Sequence, residues 1–328
     1  MQFRPAPHLA RGLALAALLF LATRPLAAAG APPAPSVPPP LRVPVWIEAD
    51  HPQDPPFAVH FEATVNGHPA RIAATQGPAS DIIVLVVLDV TGDISLVDPA
   101  KKALIDNINR LPANAWAGIL NAQDGLHVLA DPGPRRKPAI DAISGISTNG
   151  LPGLFETVDS ALHIADAMMR TSPVRVAVLY VTDGNIYRYR EDYTNPVINS
   201  SDPHDLSRKF PEALIIEKVS KLQTTLASLE APLFVAHLHY RPDRLNEAYQ
   251  NGLTTLANET AGEADFARSP TEIPDSINHM FSRILSGWTL TLNLPPKTRE
   301  NLEVKITGHA GDTEARLSWR SRYVWKHK

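Results

Sequence analysis

The chain contains two long, mainly apolar runs that each lead to an acidic residue. Residues 82–88 are seven consecutive apolar residues that end at Asp89, and residues 174–181 lead through Thr182 into Asp183. Runs of this kind, rich in β-branched residues, predict strands buried on both faces of a parallel sheet. Because open α/β sheets bind ligands at the carboxyl ends of their strands, the two acids predict one site at that edge.

Apolar residues at helical spacing predict helices around these strands. One helix is predicted over 99–111, where Asp98 and Pro99 provide a start signal, and others over 154–169, 215–229, 245–261 and 273–284. Shorter apolar stretches predict strands over 115–122, 125–130 and 233–238. Strand and helix alternate, so we predict an α/β fold with a Rossmann-like, doubly wound, mostly parallel sheet.

The two flanks of this region have a different pattern, in which apolar and polar residues alternate. Alternation over residues 61–65 precedes the turn sequence Asn66-Gly67, and alternation returns over 288–294 and 302–306. A period of two is typical of antiparallel strands with one buried face, and Asn-Gly is typical of a tight hairpin turn. The flanks are therefore predicted to be β structure.

The order of segments predicts a leader, a linker and two interleaved domains. Residues 1–29 run from basic to apolar to small side chains, as in a secretory signal peptide, and residues 30–44 hold seven prolines, as in an extended linker. The apolar block is too short to span a membrane, so we expect an exported protein, periplasmic or extracellular, with no membrane span after leader removal. The alternative is an uncleaved N-terminal anchor. We predict that residues 45–80 and 288–328 pack as one small β domain, into which the α/β domain of residues 81–287 is inserted.

Composition narrows the classes of partner and ligand. The formal net charge is −3 and aromatic residues make up 6% of the chain, so no nucleic-acid partner is expected. The chain has no cysteine, which excludes disulfides and thiolate metal sites. His237 and His239 lie on one face of a predicted strand, but two histidines without a third ligand do not define a zinc site.

The α/β region resembles the von Willebrand factor type A domain. The resemblance rests on VVLDVTGD at the end of the first central strand, on LYVTDGN at the end of a later one, and on LANETAGEADFA near the last short strand. The flanks, including PFAVHFEATVNGHPARI, are similar to exported bacterial proteins of the acidobacterial, von Willebrand A-related type. The resemblance covers about residues 45–325.

The resemblance implies a metal-ion-dependent adhesion site at the carboxyl edge. Carried over to this chain, its ligands are Asp89, Thr91, Asp93, Thr148 and Asp183, and the ion is Mg²⁺ or Ca²⁺, with no other cofactor expected. Carboxylate and hydroxyl oxygens are the ligands that these hard cations prefer, and an open coordination position accepts a partner's carboxylate.

Two positions depart from the family's pattern. Asp93 stands where the family has a serine, which adds a negative charge to the site. An ungapped alignment puts Pro152 at the threonine position, and Thr148 takes that position only with an insertion of about four residues in the preceding loop. The sequence therefore leaves open whether the metal site is complete.

These observations predict a non-enzymatic binding protein for protein–protein interaction, adhesion or assembly. The expected partner is a protein, engaged through an acidic side chain. A long polar loop provides residues of the types favoured at interface hot spots, which are Tyr187, Arg188, Tyr189, Arg190 and Tyr193. The alternative is a hydrolase similar to haloacid dehalogenase-type phosphatases, in which Asp89 attacks phosphorus.

Overall fold

The computed structural model describes residues 39–48, 59–186, 211–295, 300–311 and 313–325. The strands are β1 (Leu41–Ile47), β2 (Val59–Val65), β3 (His68–Gln76), β4 (Ile82–Asp89), β5 (Ala115–Asn121), β6 (His127–Gly133), β7 (Arg175–Thr182), β8 (Leu233–His237), β9 (Ala264–Phe266), β10 (Trp288–Asn293), β11 (Asn301–Ala310), β12 (Thr313–Glu314), β13 (Leu317–Trp319) and β14 (Arg322–Val324). The helices are α1 (Ile94–Arg110), α2 (Lys137–Gly145), α3 (Leu154–Thr171), α4 (Pro211–Leu226), α5 (Arg244–Glu259) and α6 (Ile273–Ser286). No helix within these described ranges has the length and apolar character needed to cross a membrane.

A six-stranded sheet is the centre of the α/β region, with the strand order β6-β5-β4-β7-β8-β9. Every residue of β4 is buried, and the strand pairs in parallel with β5 on one side and with β7 on the other. β8 and β9 continue the parallel arrangement, while β6 pairs antiparallel with β5 at the sheet edge. The mostly parallel sheet predicted from the apolar runs is confirmed.

Helices cover both faces of this sheet. Val84, Val86 and Leu88 of β4 pack on the side of α1, α2 and α6. Leu85 and Val87 point to the other side and pack with α3, α4 and α5. Because successive side chains of a strand point to opposite faces, one apolar strand contributes to two cores, and the doubly wound arrangement follows.

The flanks form an antiparallel sheet with the order β12-β11-β2-β3-β10-β1-β13, and β14 also pairs with β11. Strands from the two ends of the chain interleave, since β2 lies between β11 and β3, and β10 lies between β3 and β1. Their inward residues, such as Val43, Leu290 and Val304, make a third apolar core. The flanking β unit predicted from the alternation is therefore present.

The linker prediction needs a correction at its C-terminal end. β1 begins at Leu41, so residues 41–44 are part of the antiparallel sheet and not of a proline-rich linker. Leu41 and Val43 are buried in the β core, and their burial outweighs the proline content of the neighbouring sequence. The predicted leader, residues 1–29, and linker residues 30–38 lie outside the described residues.

The first helix begins earlier than the sequence predicts. α1 starts at Ile94, and the side chain of Asp93 caps it by accepting a hydrogen bond from the backbone N–H of Ser95 at 2.8 Å. Pro99, predicted as the first helical residue, lies inside the helix, where it removes one backbone hydrogen bond. Burial of Leu96 and of other apolar residues in this helix compensates for that loss.

The helix α2 is absent from the sequence prediction. It has nine residues, and only Ala139 and Ile143 among them are buried, so its apolar pattern is too short to show a helical period. The helix has a proline, Pro138, as its second residue, and its first turn has no side-chain cap. α2 packs on β6 and covers one end of the sheet.

The two sheets meet at the amino ends of the parallel strands. Arg175, the first residue of β7, is buried and donates hydrogen bonds to the carbonyl oxygens of Gly287 at 2.6 Å, Ser80 at 3.1 Å and Pro78 at 3.2 Å. These carbonyls belong to the two connections between the antiparallel and the parallel sheet. The amino edge is therefore occupied by structural contacts, and the carboxyl edge is left for a site.

Candidate functional site

Asp89 and Asp183 lie together at the carboxyl edge of the six-stranded sheet. Asp89 is the last residue of β4, and it is paired in register with Thr182 at the end of the neighbouring β7. The backbone N–H of Asp183 donates to the carbonyl oxygen of Asp89 at 3.2 Å. The two acids expected from the sequence to form one site are thus adjacent, and both are buried.

Protein donors occupy both carboxylate oxygens of Asp89. Its Oδ1 accepts from the backbone N–H of Gly153 at 2.8 Å, and its Oδ2 accepts from the N–H of Leu154 at 3.1 Å. The hydroxyls of Tyr180, at 2.8 Å, and Thr182, at 3.3 Å, also donate to Oδ2. Both oxygens of Asp89 are therefore engaged by the protein, Oδ1 by one donor and Oδ2 by three. Burial nevertheless raises the pKa of Asp89 above its usual value, against the effect of these donors.

Asp183 has one oxygen bound and one without a partner. Its Oδ2 accepts from the backbone N–H of Thr91 at 3.0 Å and from that of Gly92. Its Oδ1 is buried and has no hydrogen-bond partner among the described residues. Burial, followed by repulsion from Asp89, raises the pKa of Asp183 to about 6. This oxygen is the incomplete element of the site.

The other predicted ligands take different positions. Thr91 is buried at the edge, directly above the acids, whereas Asp93 is exposed and caps α1. The hydrogen bond with Ser95 lowers the pKa of Asp93, so this side chain remains ionised at the surface. Thr148 lies half-buried in the loop between α2 and α3, and its side chain makes no hydrogen bond to a described residue. The structure therefore unites Asp89, Thr91 and Asp183.

The loop that carries Thr148 is held by a residue that the sequence analysis did not select. Gln123 is buried at the end of β5, and its side-chain amide donates to the carbonyl oxygens of Val90 and Ser147. It thereby joins the loop after β4 to the loop before α3. A single glutamine after a strand carries no local signal for such a role, because both acceptors are distant in sequence.

A layer of polar residues under the edge was also not selected from the sequence. Tyr180, whose hydroxyl lies 2.8 Å from that of Thr157, bridges Asp89 to the first turn of α3. His237 at the end of β8 is buried, its Nε2 has no described partner, and burial lowers its pKa to about 3, which keeps the imidazole neutral. Gly184 adopts a φ of +60°, and a Cβ there would lie 2.2 Å from that Nε2, so only glycine fits.

The donor set decides which cation the edge could hold. No three His, Cys, Asp or Glu side chains come together as a metal group within the residues that the structure describes. Asp183 Oδ1 is the carboxylate oxygen with no described partner, while Asp89 contributes charge with both oxygens already engaged by the protein. The site fits a hard cation bound through one carboxylate, hydroxyls and water, which is a mode that Mg²⁺ often uses.

Asp89 is not placed as a nucleophile. Its side chain is fully buried, and both oxygens accept hydrogen bonds from the start of α3 and from β7. Attack on phosphorus needs an exposed oxygen in line with the leaving group. The phosphatase alternative proposed from the sequence is therefore not supported by this geometry.

The predicted contact residues lie outside the described part of the chain. Tyr187, Arg188, Tyr189, Arg190 and Tyr193 all fall within residues 187–210. Near the same edge, the described surface has Ile94, which is 62% exposed, and Tyr240, which is 38% exposed. His239 and Arg241, which flank Tyr240, act electrostatically on Asp93, so this loop lies beside the start of α1.

Comparisons with known proteins give structural likenesses at low sequence identity and no sequence match. No family model matches the sequence, and no curated protein matches it. Among solved structures, a von Willebrand factor type A protein from Catenulispora acidiphila aligns with 88% of this chain and 75% of its own, at 11% identity and a TM-score of 0.43.

Two further solved structures have similar scores. The ArnB paralog VWA2 from Sulfolobus acidocaldarius aligns with 80% of this chain and 75% of its own, at 10% identity and a TM-score of 0.41. An aerotolerance-related membrane protein from Bacteroides fragilis aligns with 62% of this chain and 99% of its own, at 12% identity and a TM-score of 0.39. All three likenesses have TM-scores below 0.5 and identities of 10–12%.

Proposed function

We propose that this protein is an exported, non-enzymatic binding protein that engages a protein partner through the carboxyl edge of its six-stranded sheet. The observation that carries the proposal is the buried Oδ1 of Asp183, which has no hydrogen-bond partner among the residues that the structure describes. Buried polar atoms in folded proteins are nearly always paired, and an unpaired carboxylate oxygen at a sheet edge is a candidate for a ligand. The edge is where open α/β sheets bind ligands.

The free energy of this arrangement supports a binding role. Burial and Asp89 raise the pKa of Asp183 from its ordinary 3.8 to about 6. One pKa unit corresponds to about 1.4 kcal/mol, so keeping Asp183 ionised at neutral pH costs up to about 3 kcal/mol of stability. A bound positive charge removes that cost. The protein thus retains a destabilising group at a place where a cation would stabilise it.

The cation in this proposal is Mg²⁺ or Ca²⁺. Asp183 Oδ1 and the Thr91 hydroxyl would hold it directly, and Asp89 would balance its charge from below. When bound, such an ion offers open coordination positions to a carboxylate of a partner. The exposed Ile94 and Tyr240 would contact the partner's apolar groups beside that carboxylate.

The remaining contacts are assigned to the polar loop. Its tyrosines and arginines, Tyr187, Arg188, Tyr189, Arg190 and Tyr193, directly follow Ile186, which is buried next to the edge. Tyr and Arg provide large contact areas and directional hydrogen bonds, and they are enriched at interface hot spots. Asp93 and Thr148 remain candidates for water-mediated contacts to the ion from the rim of the site.

Calorimetric titration of the purified, chelator-treated protein with Mg²⁺, Ca²⁺ and Mn²⁺ tests the proposal. Wild type should show one saturable site, and Asp183→Asn should abolish it. Asp106→Asn is the matched control, because Asp106 is half-exposed on α1 and its carboxylate pairs with Lys102. Equal binding in wild type and Asp183→Asn, or no binding in wild type, would contradict the cation mechanism.

A further inference from the structure

Three side chains of metal-ligand type form a row across the antiparallel sheet, far from the carboxyl edge in the fold. His60 of β2 is paired in register with His309 of β11, and His309 is paired with Glu314 of β12. Residues directly opposite in antiparallel strands point to the same face, with Cβ atoms about 5 Å apart. The register therefore places two imidazoles and one carboxylate side by side.

This row lies on the solvent face of the sheet. Phe61 of β2 and Ile306 of β11 point into the β core. Because side chains alternate between the two faces of a strand, His60 and His309 point to the opposite face, which is outward. His60 and Glu314 are exposed, and His309 is half-buried. Exposed side chains can rotate freely about their χ angles, so the row can adjust to a ligand.

None of the three side chains is committed to another contact. No hydrogen bond or ion pair joins His60, His309 or Glu314 to any described residue. Two other histidines of the chain are different: His163 pairs with Asp159, and His279 pairs with Glu263 at 2.8 Å. The row is thus a set of free nitrogen and oxygen donors.

The chemistry of the row points to a transition-metal ion. Two histidines and one carboxylate, with water in the fourth position, are a ligand set for Zn²⁺. In the described conformation the three donor atoms do not converge into a metal group, so a bound ion has to draw them together by side-chain rotation. The hard-oxygen site at Asp183 has a different preference, since imidazole selects zinc-type ions over Mg²⁺ or Ca²⁺.

We propose that His60, His309 and Glu314 form a surface site for Zn²⁺ or a similar transition-metal ion. The site is independent of the proposed function of the carboxyl edge. A bound ion would join the strands β2, β11 and β12. Because it binds only the folded chain, it would raise the stability of the antiparallel sheet.

The test is a calorimetric titration of untagged, chelator-treated full-length protein with zinc chloride. Wild type should bind one equivalent, and His60→Ala and His309→Ala should each weaken the affinity by about tenfold or more. Glu314→Gln should weaken it less, because two imidazoles remain. His68→Ala is the matched control, since His68 is an exposed histidine on β3 outside the row, and it should bind zinc as wild type does.

Two results separate this site from the carboxyl edge and from loss of folding. Asp183→Asn should keep full zinc affinity, and thermal unfolding in chelator should be the same for wild type, His60→Ala and His309→Ala. The proposal is overturned by the absence of saturable zinc binding in wild type. It is equally overturned if His60→Ala and His309→Ala bind zinc with unchanged affinity.

Discussion

The two edges of the six-stranded sheet both bury charged side chains, but they treat them differently. At the amino edge, Arg175 donates to three backbone carbonyls, and Arg320 donates to the carbonyls of Ala227 and Leu229 after α4. At the carboxyl edge, Asp89 accepts four hydrogen bonds, while one buried oxygen of Asp183 has no partner in the described part of the chain.

This difference separates structural charge from functional charge. The Arg175 guanidinium holds two connections together through its terminal nitrogens, although its buried Nε has no partner among the described residues. A carboxylate with an unmatched oxygen weakens the fold unless something else binds it. The candidate site is identified by a buried carboxylate oxygen without a described partner at the edge where open α/β sheets bind ligands.

The largest expected effect is at the amino edge. Arg175→Met should destabilise the protein by about 4 kcal/mol, because the buried carbonyl of Gly287 loses the guanidinium and the carbonyls of Ser80 and Pro78 keep only the Asn114 side chain as a side-chain donor. Urea unfolding measures this change, and Arg135→Met, at an exposed arginine, is the control. A loss of unfolding free energy no greater than that of Arg135→Met would show that the hydrogen bonds of Arg175 do not stabilise the connections between the sheets.

The carboxyl edge should respond in the opposite direction. Asp183→Asn should stabilise the protein by up to about 3 kcal/mol above pH 6, because it removes a carboxylate whose pKa is raised from 3.8 to about 6. The sign follows from the raised pKa: ionisation is costlier in the folded state, so the penalty appears as pH rises from about 4 to about 6. Near pH 4 the variant and wild type should have the same stability. Equal stability of the two proteins at pH 8 would contradict the prediction.

A buried acid at the amino edge provides a check on the comparison. Glu230 has its pKa raised to about 7 by burial and then by the neighbouring Asp166, with Arg170 and Arg42 opposing. Stability should therefore fall as pH rises from about 4.5 to about 7, and Glu230→Gln should recover about 2 kcal/mol at pH 8. The unfolding free energy of this variant should change less between pH 5 and pH 8 than that of wild type. If the stability of the variant depended on pH as that of wild type does, ionisation of Glu230 would not be a cause of the pH dependence.

The smallest effect is expected at the rim of the carboxyl edge. Asp93→Ala removes the side-chain cap of α1 and should lower stability slightly, by less than any change above. Because Asp93 is exposed and bonded to Ser95, the cation affinity measured by calorimetry should remain close to wild type. A loss of affinity as large as that of Asp183→Asn would make Asp93 a direct ligand.

The fold was predictable where one strand determines the arrangement. The apolar run of β4 predicts burial on both faces, and that burial requires helices on both sides of the sheet. The alternation in the two flanks predicts a sheet with one buried face, and the residues of β11 follow it without exception from Asn301 to Gly308. Where the pattern is short, as in α2, the prediction fails.

The position of the candidate site was predictable, but the state of its acids was not. Two strands that end in acids place Asp89 and Asp183 at one edge by sheet geometry alone. The donors to Asp89 come from the start of α3 and from β7, which are distant in sequence, so no local pattern indicates them. The role of Gln123 is hidden for the same reason.

The most direct test of the central claim is to measure unfolding free energy at pH 8, in chelator and then in saturating Mg²⁺ or Ca²⁺, for wild type and Asp183→Asn. If Asp183 is a ligand for the cation, the cation stabilises wild type and leaves Asp183→Asn unchanged. The greater unfolding free energy that the variant has in chelator then shrinks or disappears. If the cation stabilises both proteins equally, or neither, then Asp183 is not the group that a ligand completes.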